Sequence, residues 1–267
     1  MSSLLPTKKP HVSFSEIREW TECPHRHKLK YIDQIDMFEP SPILDFGTAV
    51  HSGCEHYLKT RGVDLSIIKA ALDKSWETHA GKPGFETSEK DKLLEVAAQI
   101  MSQVPGFLEK KFPGWEYMAA EELLYENVDK SDVKFKGLID GVLVVPTKVR
   151  NKVKKFIWII DWKTSAWGWS PQKKSDPMVQ SQIILYKHFW SVKHGVDPKD
   201  IRCGFVILKK SGKGDLCELL PISVGPVAIG RSLKILNNTI SGMKRGIVLK
   251  NRNSCKYCDF YQTEHCK

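Results

Sequence analysis

Asp161 and Lys163 flank Trp162 at the end of the apolar run Phe156-Ile-Trp-Ile-Ile160, and Asp140 closes a second apolar stretch earlier in the chain. In an extended strand, residues i and i+2 share a side about 6–7 Å apart, so the triplet predicts a carboxylate beside an ammonium where a buried strand runs out. If the strands from 133 and 155 are antiparallel neighbours, Asp140 comes close to Asp161. Two such carboxylates repel, and a divalent ion such as Mg²⁺ or Mn²⁺ would remove that cost, polarise a phosphoryl oxygen and activate a water. Lys163 would offset charge developing on the phosphate. Taken alone, the triplet is weak evidence for catalysis and reads first as a surface salt bridge at a strand end.

Further polar residues fall near these strands. His51 follows Gly47-Thr-Ala-Val50 on a helical pattern, where a neutral imidazole suits a metal or a phosphate and is also common as a structural residue. Glu121 and Glu122 begin a strand whose alternation sends one of them inward, and Leu124 favours Glu122. Gln182 and Tyr186 are four apart and share a helical face, fit to support the site or a nucleic-acid backbone, with Tyr186 as core the alternative. Trp167 and Trp169 lie just past the triplet and predict either a stacking platform or an apolar latch.

Seven cysteines and no secretory pattern argue against a disulfide framework. Cys23, Cys255, Cys258 and Cys266 are enough thiolates for zinc or for a [4Fe-4S] cluster, either of which would tie the two chain ends together. Spacing alone favours zinc, in which His265 can replace Cys266, and His25 or His27 can replace Cys23. Cys54, Cys203 and Cys217 have apolar surroundings and read as core thiols.

The elements needed to position these groups are legible as changes of period. Ser15 is the expected cap of a first helix, followed by helices over 46–58, 65–80 and 88–112. After Pro113-Gly114 the period changes to two, predicting strands over 117–126, 133–145 and 155–162. A helix over 176–193, strands over 201–209 and 216–220, and a helix over 224–243 complete the pattern. The order implies an α/β fold, a central mixed sheet flanked by helices behind a helical N-terminal part, in one domain.

In order along the chain, Gly47-x-x-x-His51, Gly137-Leu-Ile-Asp140, Asp161-Trp-Lys163 and Gln182-x-x-x-Tyr186 resemble the motifs of the PD-(D/E)xK nuclease superfamily, in the branch of RecB and AddB nuclease domains and Cas4-like proteins. The resemblance covers about 13–267. It implies a restriction-endonuclease-like core in a single domain, 1–267, with a mainly helical front (13–112), a catalytic sheet and helix (113–223) and a C-terminal helix with cysteine clamp (224–267). By resemblance, His51, Asp140, Asp161 and the Trp162 carbonyl hold Mg²⁺ or Mn²⁺, Lys163 assists catalysis, Gln182 and Tyr186 support the site and the DNA, and Cys23, Cys255, Cys258 and Cys266 hold [4Fe-4S] in preference to zinc. The activity implied is DNA exonuclease, possible also as an endonuclease, on single strands or ends. A silent nucleic-acid-binding module or a zinc-stabilised interaction subunit of a recombination or CRISPR adaptation complex is the alternative. No P-loop of Gly-x-x-x-x-Gly-Lys-Ser/Thr form occurs, so ATP-driven motion would need a helicase partner.

Forty-one Lys and Arg against thirty-one Asp and Glu leave a formal charge of +10, which favours a polyanion. The excess gathers at 148–155, at Lys173 and Lys174, and at Lys209, Lys210 and Lys213; the first group is expected to steer a strand toward the site. No apolar run is long enough to span a bilayer. A cytoplasmic protein is expected, in the host cytoplasm if virus-encoded.

Overall fold

Ser13 ends a short strand and starts the first helix. Its hydroxyl accepts the Glu16 N–H at 3.2 Å, so the cap lies two residues before the expected Ser15, which is already inside the first turn. The computed structural model describes residues 5–37, 39–212 and 214–267, with Tyr257 described by its backbone alone; Lys213 of the third basic group lies outside the described residues. The front half runs β1 (His11–Ser13), α1 (Phe14–Glu22), α2 (Pro24–His27), α3 (Pro42–Thr60), α4 (Leu65–Thr78) and α5 (Thr87–Lys111). Then follow β2 (Glu116–Ala119), β3 (Glu122–Asn127), β4 (Lys134–Ile139), β5 (Gly141–Val149) and β6 (Lys152–Ser165). The remainder is α6 (Pro171–Ser175), α7 (Pro177–His194), β7 (Ile201–Lys209), β8 (Cys217–Ile222) and α8 (Pro226–Lys244).

These elements form two compact units, one of Met1–Glu39, Leu123–Gly137 and Gly225–Lys267, the other of Pro40–Glu122 and Leu138–Val224. In the first, β4 lies between β1 and β3, parallel to β1. Helix α1 packs on α8 where Gly242 leaves room for the Trp20 ring, since a Cβ there would stand 2.2 Å from Trp20 Cζ2. Gly242→Ala is therefore expected to destabilise the protein by about 1–3 kcal/mol through overpacking. Thermal unfolding followed by circular dichroism checks this, and an unchanged midpoint would refute it.

The same unit corrects the expected cysteine clamp. Cys23, Cys255, Cys258 and Cys266 all line one cavity of about 320 Å³. Among the described residues, however, no group of three or more His, Cys, Asp or Glu side chains is placed to hold a metal ion. The sulfur of Cys23 instead faces backbone N–H groups of Arg26 and Asn251, each at 3.5 Å, capping α2. Cys255 Sγ points to the Asn251 carbonyl at 4.0 Å. The chain ends are thus not joined by an iron-sulfur or zinc cluster, and the substitution of His25, His27 or His265 for a thiolate falls with it. As expected of core thiols, Cys54, Cys203 and Cys217 are buried.

The second unit carries the predicted mixed sheet, in the order β2-β5-β6-β7-β8. β5 is antiparallel to β6, β6 parallel to β7, and β7 antiparallel to β8. Two expected strands are each broken in two. The break over 117–126 comes at Glu121, whose φ of 51° no strand accommodates; that over 133–145 comes at Asp140, between β4 and β5. On one face of β6, Trp158, Ile160 and Trp162 join a core with Phe46 and Val50 of α3, Ile68 and Leu72 of α4, and Ile100 and Val104 of α5. Fully burying each such side chain contributes roughly 1.5–3 kcal/mol. Ile159 and Asp161 alternate to the other face, where Gln182 of α7 meets Asp161. No helix among the described residues is long and apolar enough to cross a membrane.

Candidate active site

The β5–β6 hairpin brings the two aspartates together. Gly141 pairs with Ile160 in an antiparallel register, so the next opposed positions are Asp140 and Asp161. There the ladder gives way to a side chain: the Trp162 N–H donates to Asp140 Oδ2 at 2.7 Å. Asp161 is only 1% exposed, and a carboxylate buried that deeply must be paired. Lys163 supplies the charge, its Nζ 2.5 Å from Asp161 Oδ2, and the Gln182 amide donates to Oδ1 at 3.2 Å. The same amide lies 3.2 Å from the Tyr186 hydroxyl. From α3, His51 Nδ1 stands 3.6 Å from Asp140 Oδ2, while Gly47, one turn earlier, backs onto Thr164 so closely that a Cβ would lie 3.2 Å from its hydroxyl. His51, Asp140, Asp161, Trp162, Lys163, Gln182 and Tyr186 therefore meet at one end of β6.

Their titration is set by burial and by one another. Burial, then the charge of Asp161, pushes Asp140 up to about 8 against the pull of Lys163 and the Trp162 N–H. Burial draws Lys163 down, but Asp161 and Asp140 outweigh it and the ammonium is held above its ordinary value. Burial and then Lys163 lower His51, against Asp161 and a hydrogen bond to the Trp162 backbone, so the imidazole is neutral at pH 7. Tyr186 is pushed up to about 12 by burial and by Asp161 and keeps its proton.

The expected Mg²⁺ or Mn²⁺ site is corrected by the side chains present. Lys163 and Gln182 engage the oxygens of Asp161, and Trp162 engages Asp140 by its N–H and His51 through its backbone. No metal-holding group of three or more His, Cys, Asp or Glu side chains occurs among the described residues.

Other expectations divide. Glu122 does not face the site: its carboxylate takes Trp190 Nε1 at 2.8 Å and pairs with Lys193 and His194 at the end of α7. Glu121 is the one whose charge adds to the upward push on Asp140; its positive φ defeats the alternation that favoured Glu122. The basic group at 148–155 sits at the far end of the hairpin, Lys155 being six residues, or roughly 20 Å, from Asp161 along β6. Lys154 is paired with Asp200, and Lys155 with Glu116 at 3.0 Å. Ser165 at the other end pairs with Lys209, which puts Lys209, the last residue of β7, beside the end of β6 that carries the site.

A family model described as PD-(D/E)XK nuclease superfamily matches residues 11–263. The chain is also similar to a crystal structure of a "Putative exonuclease" from Eubacterium rectale, with a TM-score of 0.56 and 12% identity over 95% of this chain and 88% of that one; at that identity the likeness concerns the fold. No curated protein sequence matches the chain. The expected placement in an iron-sulfur, Cas4-like branch is overturned by the absence of a metal-holding group among the described residues. With its motifs gathered at one end of β6 and its sequence matched almost from end to end, the chain belongs to the PD-(D/E)XK nuclease superfamily.

Proposed function

We propose that the protein is a deoxyribonuclease that hydrolyses DNA phosphodiester bonds, acting as an exonuclease on single-stranded DNA or on DNA ends. The observation that carries this reading is the buried Asp161–Lys163 pair set against Asp140. Here the scissile phosphate lies against the Lys163 ammonium, which offsets the charge added as water attacks phosphorus. Asp140, once ionised toward pH 8, orients that water and takes up its proton, while Asp161 holds the Lys163 ammonium in place. The P–O bond to the 3′-oxygen breaks, that oxygen is protonated by solvent, and a 5′-phosphate is left. Gln182 holds Asp161 in place with Tyr186 behind it, both acting as positioning residues. Membership of the nuclease superfamily and the net charge of +10 support a polyanionic substrate.

Digestion of end-labelled linear and of circular DNA, single- and double-stranded, tests the proposal in buffers with and without added divalent salts. Release of labelled mononucleotides from linear single strands, with circles resistant, is the expected result. Binding without any cleavage in every condition would favour a silent binding module instead.

A further inference from the structure

We propose that Trp167 is a base-stacking platform at the rim of this site, receiving a single DNA strand whose phosphates are held by Lys209 and Lys210. The choice of polymer rests on the nuclease reading above. Trp167 is 78% exposed, the highest value among the large apolar side chains described. Two residues on, Trp169 is 7% exposed, with its ring 5.1 Å from that of Phe205 and the Lys173 ammonium 4.6 Å from its centre. The pair that looked equivalent in sequence is thus split into a core residue and a surface one. Gly168 lies between the two rings with a φ of 102°, one that side-chain-bearing residues rarely adopt.

The loop is fixed on both sides of Trp167. Ser165 Oγ donates to the Gly168 carbonyl at 2.8 Å, and the Ser165 carbonyl accepts the Lys210 N–H at 2.8 Å. The Ala166 carbonyl accepts both the Ser211 N–H at 3.1 Å and the Ser211 hydroxyl at 2.9 Å. An exposed indole on a pinned backbone is preorganised, so little ordering cost opposes a ligand that lands on it.

Position and charge select the ligand. Trp167 is four residues from Lys163, a span of at most about 14 Å. The register Ser165↔Lys209 puts Lys209 beside the same strand end, and Lys210 Nζ lies 5.8 Å from the ring of Phe46, in the first turns of the helix that carries His51. Neither lysine forms an ion pair among the described residues, unlike Lys154 and Lys155 at the far end of the hairpin. A flat π face next to two ammonium groups matches the alternation of base and phosphate in an unpaired strand.

The test measures anisotropy of a labelled single-stranded oligonucleotide and of an abasic chain of equal length, in the Asp140→Asn background. Trp167→Ala should weaken binding of the base-containing strand about tenfold and leave the abasic chain unaffected, while Trp167→Phe keeps most of the affinity. In the otherwise native protein, Trp167→Ala should raise KM with kcat held. Equal affinities of the native and Trp167→Ala side chains for the base-containing strand would overturn the proposal, as would a native protein indifferent to bases, the result expected if this rim docks a protein instead. Absence of cleavage by the native protein alongside base-dependent binding would remove the nuclease reading and leave the platform standing.

Discussion

Lys163→Ala is expected to lower the cleavage rate by about 10²–10³-fold, the usual cost of removing one preorganised group that meets developing negative charge. The same change should destabilise the fold. Asp161 is 1% exposed and Lys163 31%, so the lost ammonium leaves a buried carboxylate without its balancing charge, the Gln182 amide still donating to it. Breaking a buried pair costs about 3–5 kcal/mol, and partial exposure of Lys163 puts the expected loss at about 3 kcal/mol. Activity lost merely through unfolding would mimic a chemical role, so the informative protein is the double variant Asp161→Asn with Lys163→Ala. Removing both charges leaves no uncompensated ion, and a side-chain amide at 161 still has Gln182 to bond. The double variant should recover most of the lost stability in urea titrations while cleaving no faster than Lys163→Ala alone. Cleavage by Lys163→Ala within a few-fold of the native rate would reject the role given to Lys163.

The apposition of Asp140 and Asp161 was legible in the sequence because it depends on one local hairpin. Once 133–145 and 155–162 are adjacent antiparallel strands, Asp140 and Asp161 fall at the same end of the pair, away from the turn, and Gly141 does pair with Ile160. Gln182 and Tyr186 were legible for a similar reason, helical spacing alone putting both on one face of α7. What escaped were features decided by single backbone angles or by the far reach of a strand. A φ of 51° at Glu121 divides a strand and turns Glu122 toward Trp190, and alternation carries no trace of such a residue. The basic run at 148–155 is adjacent in sequence to the site strand, yet the length of β6 carries it away. Cysteine spacing located four sulfurs around one cavity, but backbone donors from Arg26 and Asn251, not sequence spacing, determine what the Cys23 sulfur faces.

Asp140→Asn should abolish cleavage and yet make the protein more stable as pH rises. In the folded protein, burial and the neighbouring charge of Asp161 raise the Asp140 carboxyl from an ordinary 3.8 to about 8. Below about pH 4 folded and unfolded chains both hold the proton, and the residue has no effect on the equilibrium between them. Between about pH 4 and 8 the unfolded chain has released the proton and the folded one retains it, so ν_U − ν_N is negative and stability falls as pH rises. Each unit of that window is worth up to about 1.4 kcal/mol; with its side chain 19% exposed and neighbours free to relax, a total on the order of 2–3 kcal/mol is expected. Asparagine escapes this loss, since it never ionises and its carbonyl oxygen can accept the Trp162 N–H that now donates to Oδ2 at 2.7 Å. Urea titrations at pH 4.5 and pH 8 check the sign: the advantage of Asp140→Asn over the native protein should be small in acid and grow toward pH 8. An advantage that stays constant, or shrinks with rising pH, would show that Asp140 is charged throughout and would remove it as a proton acceptor that costs the fold stability for the sake of the reaction.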